Sequence, residues 1–388
     1  MELCRTPGMD YLSRAFPEPP LPLLKSRLPA MRQDDNDEGF RGGLMGWIAY
    51  DAGCLQKNKA AAFPGLCLGG YDMYIREDRE GNAVLHADNP DIAARLLDRL
   101  ATLPDPAPFR LDSGFGNLTS KARYQEAFRQ IQDYLHAGDC YQINFAQAFR
   151  ARCHGDSLEA FELLNSLGTP PHAAYICSPE GDALSLSPEL FLAFDGGHVL
   201  TRPIKGTRPR GKTPSEDAAL ITDLREHPKD RAENLMIVDL LRHDLGKHAL
   251  TGSVQAAPLF RIESFPHVHH LVSDVRCRLR PDSHPLDLLF DAFPGGSITG
   301  APKKRAMEII AELENHPRSI YCGSIGYLNA DGNGEWNIAI RTLLRTGNDL
   351  FAWAGGGIVA DSDCEDEYQE CFNKIGPLLA ALETHFLD

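Results

Sequence analysis

The run Ser319-Ile-Tyr-Cys-Gly-Ser-Ile-Gly-Tyr-Leu-Asn-Ala-Asp-Gly-Asn-Gly-Glu-Trp-Asn-Ile-Ala-Ile-Arg-Thr-Leu-Leu-Arg-Thr-Gly-Asn-Asp-Leu-Phe-Ala-Trp-Ala-Gly-Gly-Gly-Ile-Val359 sets the architecture. The turns Ala330–Gly334 and Thr346–Asn348 separate three β-rich runs, and the segment reads as an antiparallel meander. A final helix is expected over about 365–386. Upstream, Pro302 suits the first position of another helix, and a long helix reads from about Pro228 to Leu245. Leu190 to Leu200 reads as strand, as do 173–178 and 183–186, with a helix over 158–166. Cys140 to Phe149 alternates like a strand. Thr119 or Ser120 caps a helix whose apolar side chains recur at Tyr124, Phe128, Ile131 and Leu135. Before the linker Pro104–Pro108, a helix over Ile92–Leu103, strands at 43–50 and 71–75, and a hairpin through Glu80-Gly-Asn82 are expected. The first 38 residues hold at most one short helix, Leu23 to Leu28. Hairpins and helices without βαβ alternation predict an α+β fold with antiparallel sheets.

The 388 residues are 43% hydrophobic and 24% charged, with a net charge of -15. The length allows two or three domains or one interwoven unit. The acidity argues against a general nucleic-acid binder, so an anionic substrate needs a local basic pocket. No signal-peptide pattern opens the chain and no run of about 20 apolar residues occurs, so no membrane span is expected. Ten cysteines without a C-x-x-C pair read as reduced thiols of a cytoplasmic protein.

The basic pocket is sought in Thr201-Arg-Pro-Ile-Lys-Gly-Thr-Arg-Pro-Arg-Gly-Lys212. Gly206 and Pro209 are expected to break the chain, leaving Lys205 at the mouth of a loop. Burial or cationic neighbours lower a lysine pKa and make its amine nucleophilic, and Arg202, Arg208, Arg210 and Lys212 are the neighbours at hand. Glu189, 16 residues earlier, is either a general acid with a raised pKa or a surface glutamate. Two acidic pairs, Asp230 with Glu233 and Glu367 with Glu370, sit at helical spacing. They are either solvated faces, with Arg231 and Lys374 as salt-bridge partners, or an all-oxygen site for Mg²⁺ on two facing helices. Three glycine-rich loops, Phe293–Pro302, Cys322–Tyr327 and Ala354–Ile358, match neither a P-loop nor a dinucleotide fingerprint; they are tight turns or places where backbone meets an anion. In Phe265–Leu271, strand alternation allows only one of His269 and His270 to serve a given pocket.

In this order, Tyr141–Phe145, Ser187–Glu189, Pro203–Thr207, Ala232–Leu240, His270–Ser273, Gly300–Lys303, Ile325–Tyr327, Ile340–Thr342, Gly355–Ile358 and Glu367–Lys374 resemble the chorismate-utilising enzymes. The resemblance covers about 119–380 and is looser over 20–100. It implies large antiparallel sheets packed as a sandwich with helices outside, like anthranilate synthase component I. It also implies a chorismate-binding catalytic domain over 119–388 and a shortened N-terminal lobe over 1–108, intertwined with the core. Within the family, Pro-Ile-Lys-Gly-Thr resembles aminodeoxychorismate synthases, whereas anthranilate synthases look like Pro-Ile-Ala-Gly-Thr. Gln142 stands where isochorismate and salicylate synthases place a water-activating lysine.

The resemblance then implies roles. Lys205 attacks the ring, Glu189 protonates the departing hydroxyl, and His270 orients the leaving group. Tyr327, Arg341, Gly355, Gly356, Gly357, Lys374, Thr299 and Gln142 bind substrate. Glu233 and Glu370 hold Mg²⁺, with Asp230 and Glu367 beside them. The chain shows no Gly-x-Cys-x-Gly glutaminase elbow, so ammonia is expected from a separate glutamine amidotransferase, and pyruvate release from a separate lyase. Two alternatives stand beside this reading: an anthranilate synthase component I with an atypical lysine, and a catalytically silent chorismate-fold binding subunit.

Overall fold

Ser120 caps the helix Lys121–His136 by accepting a hydrogen bond from the Arg123 amide. Tyr124, Phe128, Ile131 and Leu135 fall on its buried face, each contributing roughly 1.5–3 kcal/mol through burial. Gly138 (φ +81°) turns the chain into the long strand Gln142–His154. That strand pairs over ten positions with Asp349–Ile358, the last run of the presumed meander. The computed structural model describes residues 21–26, 28, 39–53, 63–77, 80–87 and 89–387.

Two large antiparallel sheets result. One runs in the order Gln255–Ala256, Val275–Arg278, His198–Arg202, Leu190–Asp195, Gly334–Asn337, Ser324–Asn329, Gly43–Ile48, Leu66–Tyr71. The other runs Gly300–Ala301, Gln142–His154, Asp349–Ile358, Thr342–Thr346, Gly181–Ser187, His172–Ser178. One buried apolar cluster draws on both, from Trp47 and Trp336 to Phe145 and Leu343. The fold is α+β with large antiparallel sheets, as read from the sequence. Among the described residues no helix is long and apolar enough to cross a membrane.

Several expectations need correction. The stretch 319–359 is not one meander of three runs. It holds four strands, two in each sheet, and the chain changes sheet between Asn337 and Thr342. Leu190–Leu200 is a hairpin, because Gly196 (φ +53°) and Gly197 (φ +78°) turn it. Tyr71 and Tyr74–Glu77 belong to different sheets. Helices Pro214–Glu226 and Pro285–Ala292 went unread. The short N-terminal helix is Leu21–Ser26; most of the first 38 residues lie outside the described ones.

The two sheet changes position the chemistry. The chain leaves the second sheet at Ser187 and enters the first at Leu190, so Glu189 sits in one crossover. It returns through Ile338–Arg341, so Arg341 sits in the other. Hydrogen bonds lace the crossovers together: the Ile338 amide donates to the Glu189 carbonyl at 3.0 Å, the Leu186 amide to the Arg341 carbonyl at 3.1 Å, and the Ser187 hydroxyl to the Ile338 carbonyl at 2.6 Å.

Candidate active site

A cavity of about 720 Å³ opens beside these crossovers. Glu189, Lys205, Asp230, Glu233, His270, Arg341, Gly355, Gly357, Glu367, Glu370 and Lys374 all line it. They come from five places: the two crossovers, the small sheet Ile204–Pro209/Val268–Val272/Arg261–Ser264, the helices Pro228–Gly246 and Cys364–Phe386, and the strand Asp349–Ile358.

Lys205 does not end an element at a loop. The strand continues from Ile204 to Pro209, and Gly206 supplies a bulge: Ile204 pairs with Val272 and Thr207 with His270, three steps against two. A bulge re-aims the side chains around it. Only glycine suits this one, because φ is +89° and a Cβ would lie 2.9 Å from Leu224 Cδ1 and 3.0 Å from Asp230 Cγ. On the paired strand, His270 lines the cavity and its Nδ1 meets the Thr207 hydroxyl at 2.9 Å. His269 points the other way, between Ser264 and Asp217.

The charge state of Lys205 is set by burial and not by the neighbouring arginines. Arg202 is bonded to Asp274, Arg208 to Asp223 and Asp230, and Arg210 to Asp217. Lys205 has no hydrogen bond or ion pair among the described residues. Burial pushes its pKa down and Lys374 adds to this, against the pull of Glu233, Glu189 and Glu370. Glu189, 4% exposed, moves the other way. Burial raises its pKa despite hydrogen bonds from Ser297 and the Ile204 amide and the nearby Lys205. One wall therefore carries an amine and a carboxyl group both driven toward their neutral forms. Burial, Arg341 and His269 together depress the His270 pKa to about 4.

Arg341 closes one end of the cavity. It holds φ +50°, a conformation uncommon for non-glycine residues and enriched at functional sites. Among the described residues no carboxylate pairs with its guanidinium, and burial pushes its pKa down. A desolvated cation without a partner is a place for an anion.

The other end is acidic. Asp230 is bonded to Arg208, Glu367 accepts from the Ser362 hydroxyl, and Glu370 lies 2.5 Å from Lys374. Lys374 also donates to the Gly355 carbonyl at 3.0 Å. Burial raises the Glu233 pKa, and Lys205 and Lys229 only partly offset this. For Glu370 burial acts the same way, but Lys374 wins and the pKa falls. Gly356 lies beneath this corner; a Cβ there would sit 3.0 Å from Glu367 Oε2 and 3.9 Å from Glu370 Oε1. The donors are all carboxylate oxygens, the type a hard cation takes. Glu233 has no hydrogen bond or ion pair among the described residues, which suits an incoming cation. No three such groups converge on a ready-made metal cage among the described residues. The cation must therefore draw Glu370 away from Lys374.

Four expected binding residues do not line the cavity. Tyr327 packs its ring on Phe40. Thr299 is fully buried and its hydroxyl donates to the Gly295 carbonyl. Gln142 is fully buried against Gly357, with neither amide atom hydrogen-bonded. Gly356 is the fourth. Conversely Asn144, Ser297, Tyr321, Trp353 and Lys229 line the cavity and were not singled out. Tyr321 and Trp353 read as core aromatics, and no spacing signal marks the others.

The chain belongs to the chorismate binding enzymes, whose family pattern it matches over residues 17–380. It is 46% identical over 377 residues to aminodeoxychorismate synthase component 1 of Salmonella typhimurium, covering 94% of this chain and 83% of that one. The protein of the same name from Klebsiella aerogenes is 49% identical over 352 residues, covering 89% and 78%. Among solved structures, anthranilate synthase component I from Streptococcus pneumoniae superposes with a TM-score of 0.82 at 29% identity, covering 94% of this chain and 86% of that one.

Proposed function

We propose that this chain is the aminating subunit that converts chorismate and ammonia to 4-amino-4-deoxychorismate. The observation that carries the reading is Lys205, facing the same cavity as Glu189 with its amine driven neutral while the acid is driven protonated. The neutral amine attacks C2 of the ring. The double bond shifts and the C4 hydroxyl leaves as water, taking the proton of Glu189. Ammonia then adds at C4 and expels the Lys205 amine, and the surplus proton returns to Glu189. His270, kept neutral by its low pKa, orients the departing hydroxyl. Arg341 and the Gly355–Gly357 backbone grip the enolpyruvyl carboxylate. Glu233 and Glu370, with Asp230 and Glu367 beside them, would hold Mg²⁺, whose charge when bound offsets the ring carboxylate.

Ammonia reaches this subunit from a separate glutamine amidotransferase, and a separate lyase releases pyruvate to give p-aminobenzoate for folate synthesis in the cytoplasm. The test is a mass spectrum of the product from chorismate, ammonia and Mg²⁺, with and without added lyase. We expect 4-amino-4-deoxychorismate, turning to p-aminobenzoate with the lyase, and a loss of about 100-fold or more in Lys205→Ala. Anthranilate as the product, or full turnover by Lys205→Ala, overturns the reading.

A further inference from the structure

The floor of the cavity contains a break in the sheet filled by side chains. Along its outer edge, Gln142–His154 pairs with Gly300–Ala301, and the Asn144 amide donates to the Thr299 carbonyl. Pairing resumes only where the Leu118 amide reaches the Ala148 carbonyl. Between them Arg318 and Glu314 take the place of a strand. Arg318 Nη2 donates to the Asn144 carbonyl at 2.7 Å, and Glu314 Oε1 accepts from the Ala146 amide at 2.8 Å. The two side chains pair through both nitrogens, at 2.9 and 2.7 Å, and are 1% and 6% exposed. Arg318 Nη1 donates to the Ile298 carbonyl at 2.9 Å, and its guanidinium lies over the Tyr50 ring at 4.5 Å.

Both backbone partners belong to the cavity wall: Asn144 and Ile298 line it, and Ser297 next to Ile298 hydrogen-bonds Glu189. We propose that Arg318, held in place by Glu314, is a positioning residue for the amination. It fixes the Gly296–Ile298 turn against the long strand and so holds Ser297 and Asn144 in register with Glu189. This rests on the proposed function, since Glu189 must be the proton donor for the placement of Ser297 to matter. A fork with both partners satisfied transmits a fixed geometry, and a shift of about 1 Å in a positioning contact costs on the order of 100-fold in rate.

Removing one member strands a buried charge, so the informative variant is Arg318→Met with Glu314→Met, alongside Arg318→Lys. With ammonia as nitrogen source, we expect the double variant to keep its circular dichroism spectrum and a chorismate KM within about threefold, while kcat falls about 100-fold. The basic limb of the kcat profile should move to higher pH, because a loosened Ser297 no longer stabilises the Glu189 carboxylate. Arg318→Lys keeps the charge but not the fork and should lose about tenfold with a smaller move in the same direction. Ser297→Ala should reproduce the move of the limb. A double variant or Arg318→Lys with kcat within threefold of the parent overturns the proposal, as does a loss of kcat with the basic limb unmoved. Wild-type protein inert toward chorismate and ammonia refutes the functional reading instead.

Discussion

Replacing Arg341 with methionine should improve the ligand-free protein and ruin substrate binding, and the two effects can be sized. The guanidinium is desolvated with no carboxylate partner among the described residues, so removing its charge relieves about 1–2 kcal/mol. The φ of +50° penalises both side chains alike and cancels. At roughly 1–2 °C per kcal/mol for a chain of this size, Tm should rise by about 1–4 °C. Binding moves the other way. Two charge-assisted bonds to a carboxylate contribute about 1.5–3 kcal/mol each, and the relieved desolvation offsets part of that loss. A net of about 2–4 kcal/mol is roughly 30- to 700-fold in Kd. Thermal melts with and without chorismate read both effects. At 100 times the wild-type Kd, chorismate stabilises the parent by about 2.7 kcal/mol, and a 100-fold weaker variant gains only about 0.4 kcal/mol. An Arg341→Met protein that melts lower than the parent yet keeps its chorismate-induced shift would refute this reasoning.

Three further outcomes follow from the same geometry. His270 has a folded pKa of about 4 against an ordinary 6.5, so the native state binds fewer protons than the unfolded chain between those values. Stability should therefore fall as pH drops from 6.5 to 4, by up to about 3 kcal/mol, and His270→Asn should flatten that fall in urea titrations at pH 7 and 4.5. Gly206→Ala places a Cβ against Leu224 and Asp230 in a left-handed backbone; a loss of about 1–3 kcal/mol is expected, together with most turnover, because Lys205 is re-aimed. Glu233→Gln should abolish the Mg²⁺-induced rise in Tm measured without substrate, and an undiminished rise would remove Glu233 from the cation site.

The sequence made the site far more legible than its wiring. Lys205 and Glu189 stood out because a charged residue beside a chain break in an apolar setting needs a reason. The acidic pairs stood out because helical spacing puts them on one face. The partners of Arg202, Arg208 and Arg210 could not be read, since Asp274 lies 72 residues from Arg202 and Asp230 lies 22 from Arg208. Local clustering of positive charge suggested a field at Lys205 that long-range pairing has neutralised. The helix Pro214–Glu226 buries only Leu224, so it has no apolar period to find, although Thr213, Pro214 and Glu216 are a start signal. The sheet change between Asn337 and Thr342 has no marker either, because the strands on both sides carry the same β-rich pattern.

The distribution of charge in the cavity also limits what can bind there. One end offers a cation without a counterion, Arg341. The other offers Asp230, Glu233, Glu367 and Glu370, which repel an anion unless a metal ion intervenes. A ligand that satisfies both ends carries two carboxylates, one for the arginine and one for the ion, with its ring held between them beside Lys205 and Glu189. Removing the enolpyruvyl carboxylate from the ligand and the guanidinium from the protein should then be non-additive. A ring monocarboxylate should bind the parent far more weakly than chorismate does, yet bind Arg341→Met about as well as it binds the parent. The coupling in that cycle should approach the full 2–4 kcal/mol worked out for the single variant. Additive losses would place the second carboxylate elsewhere, and the ring with it, out of reach of the amine.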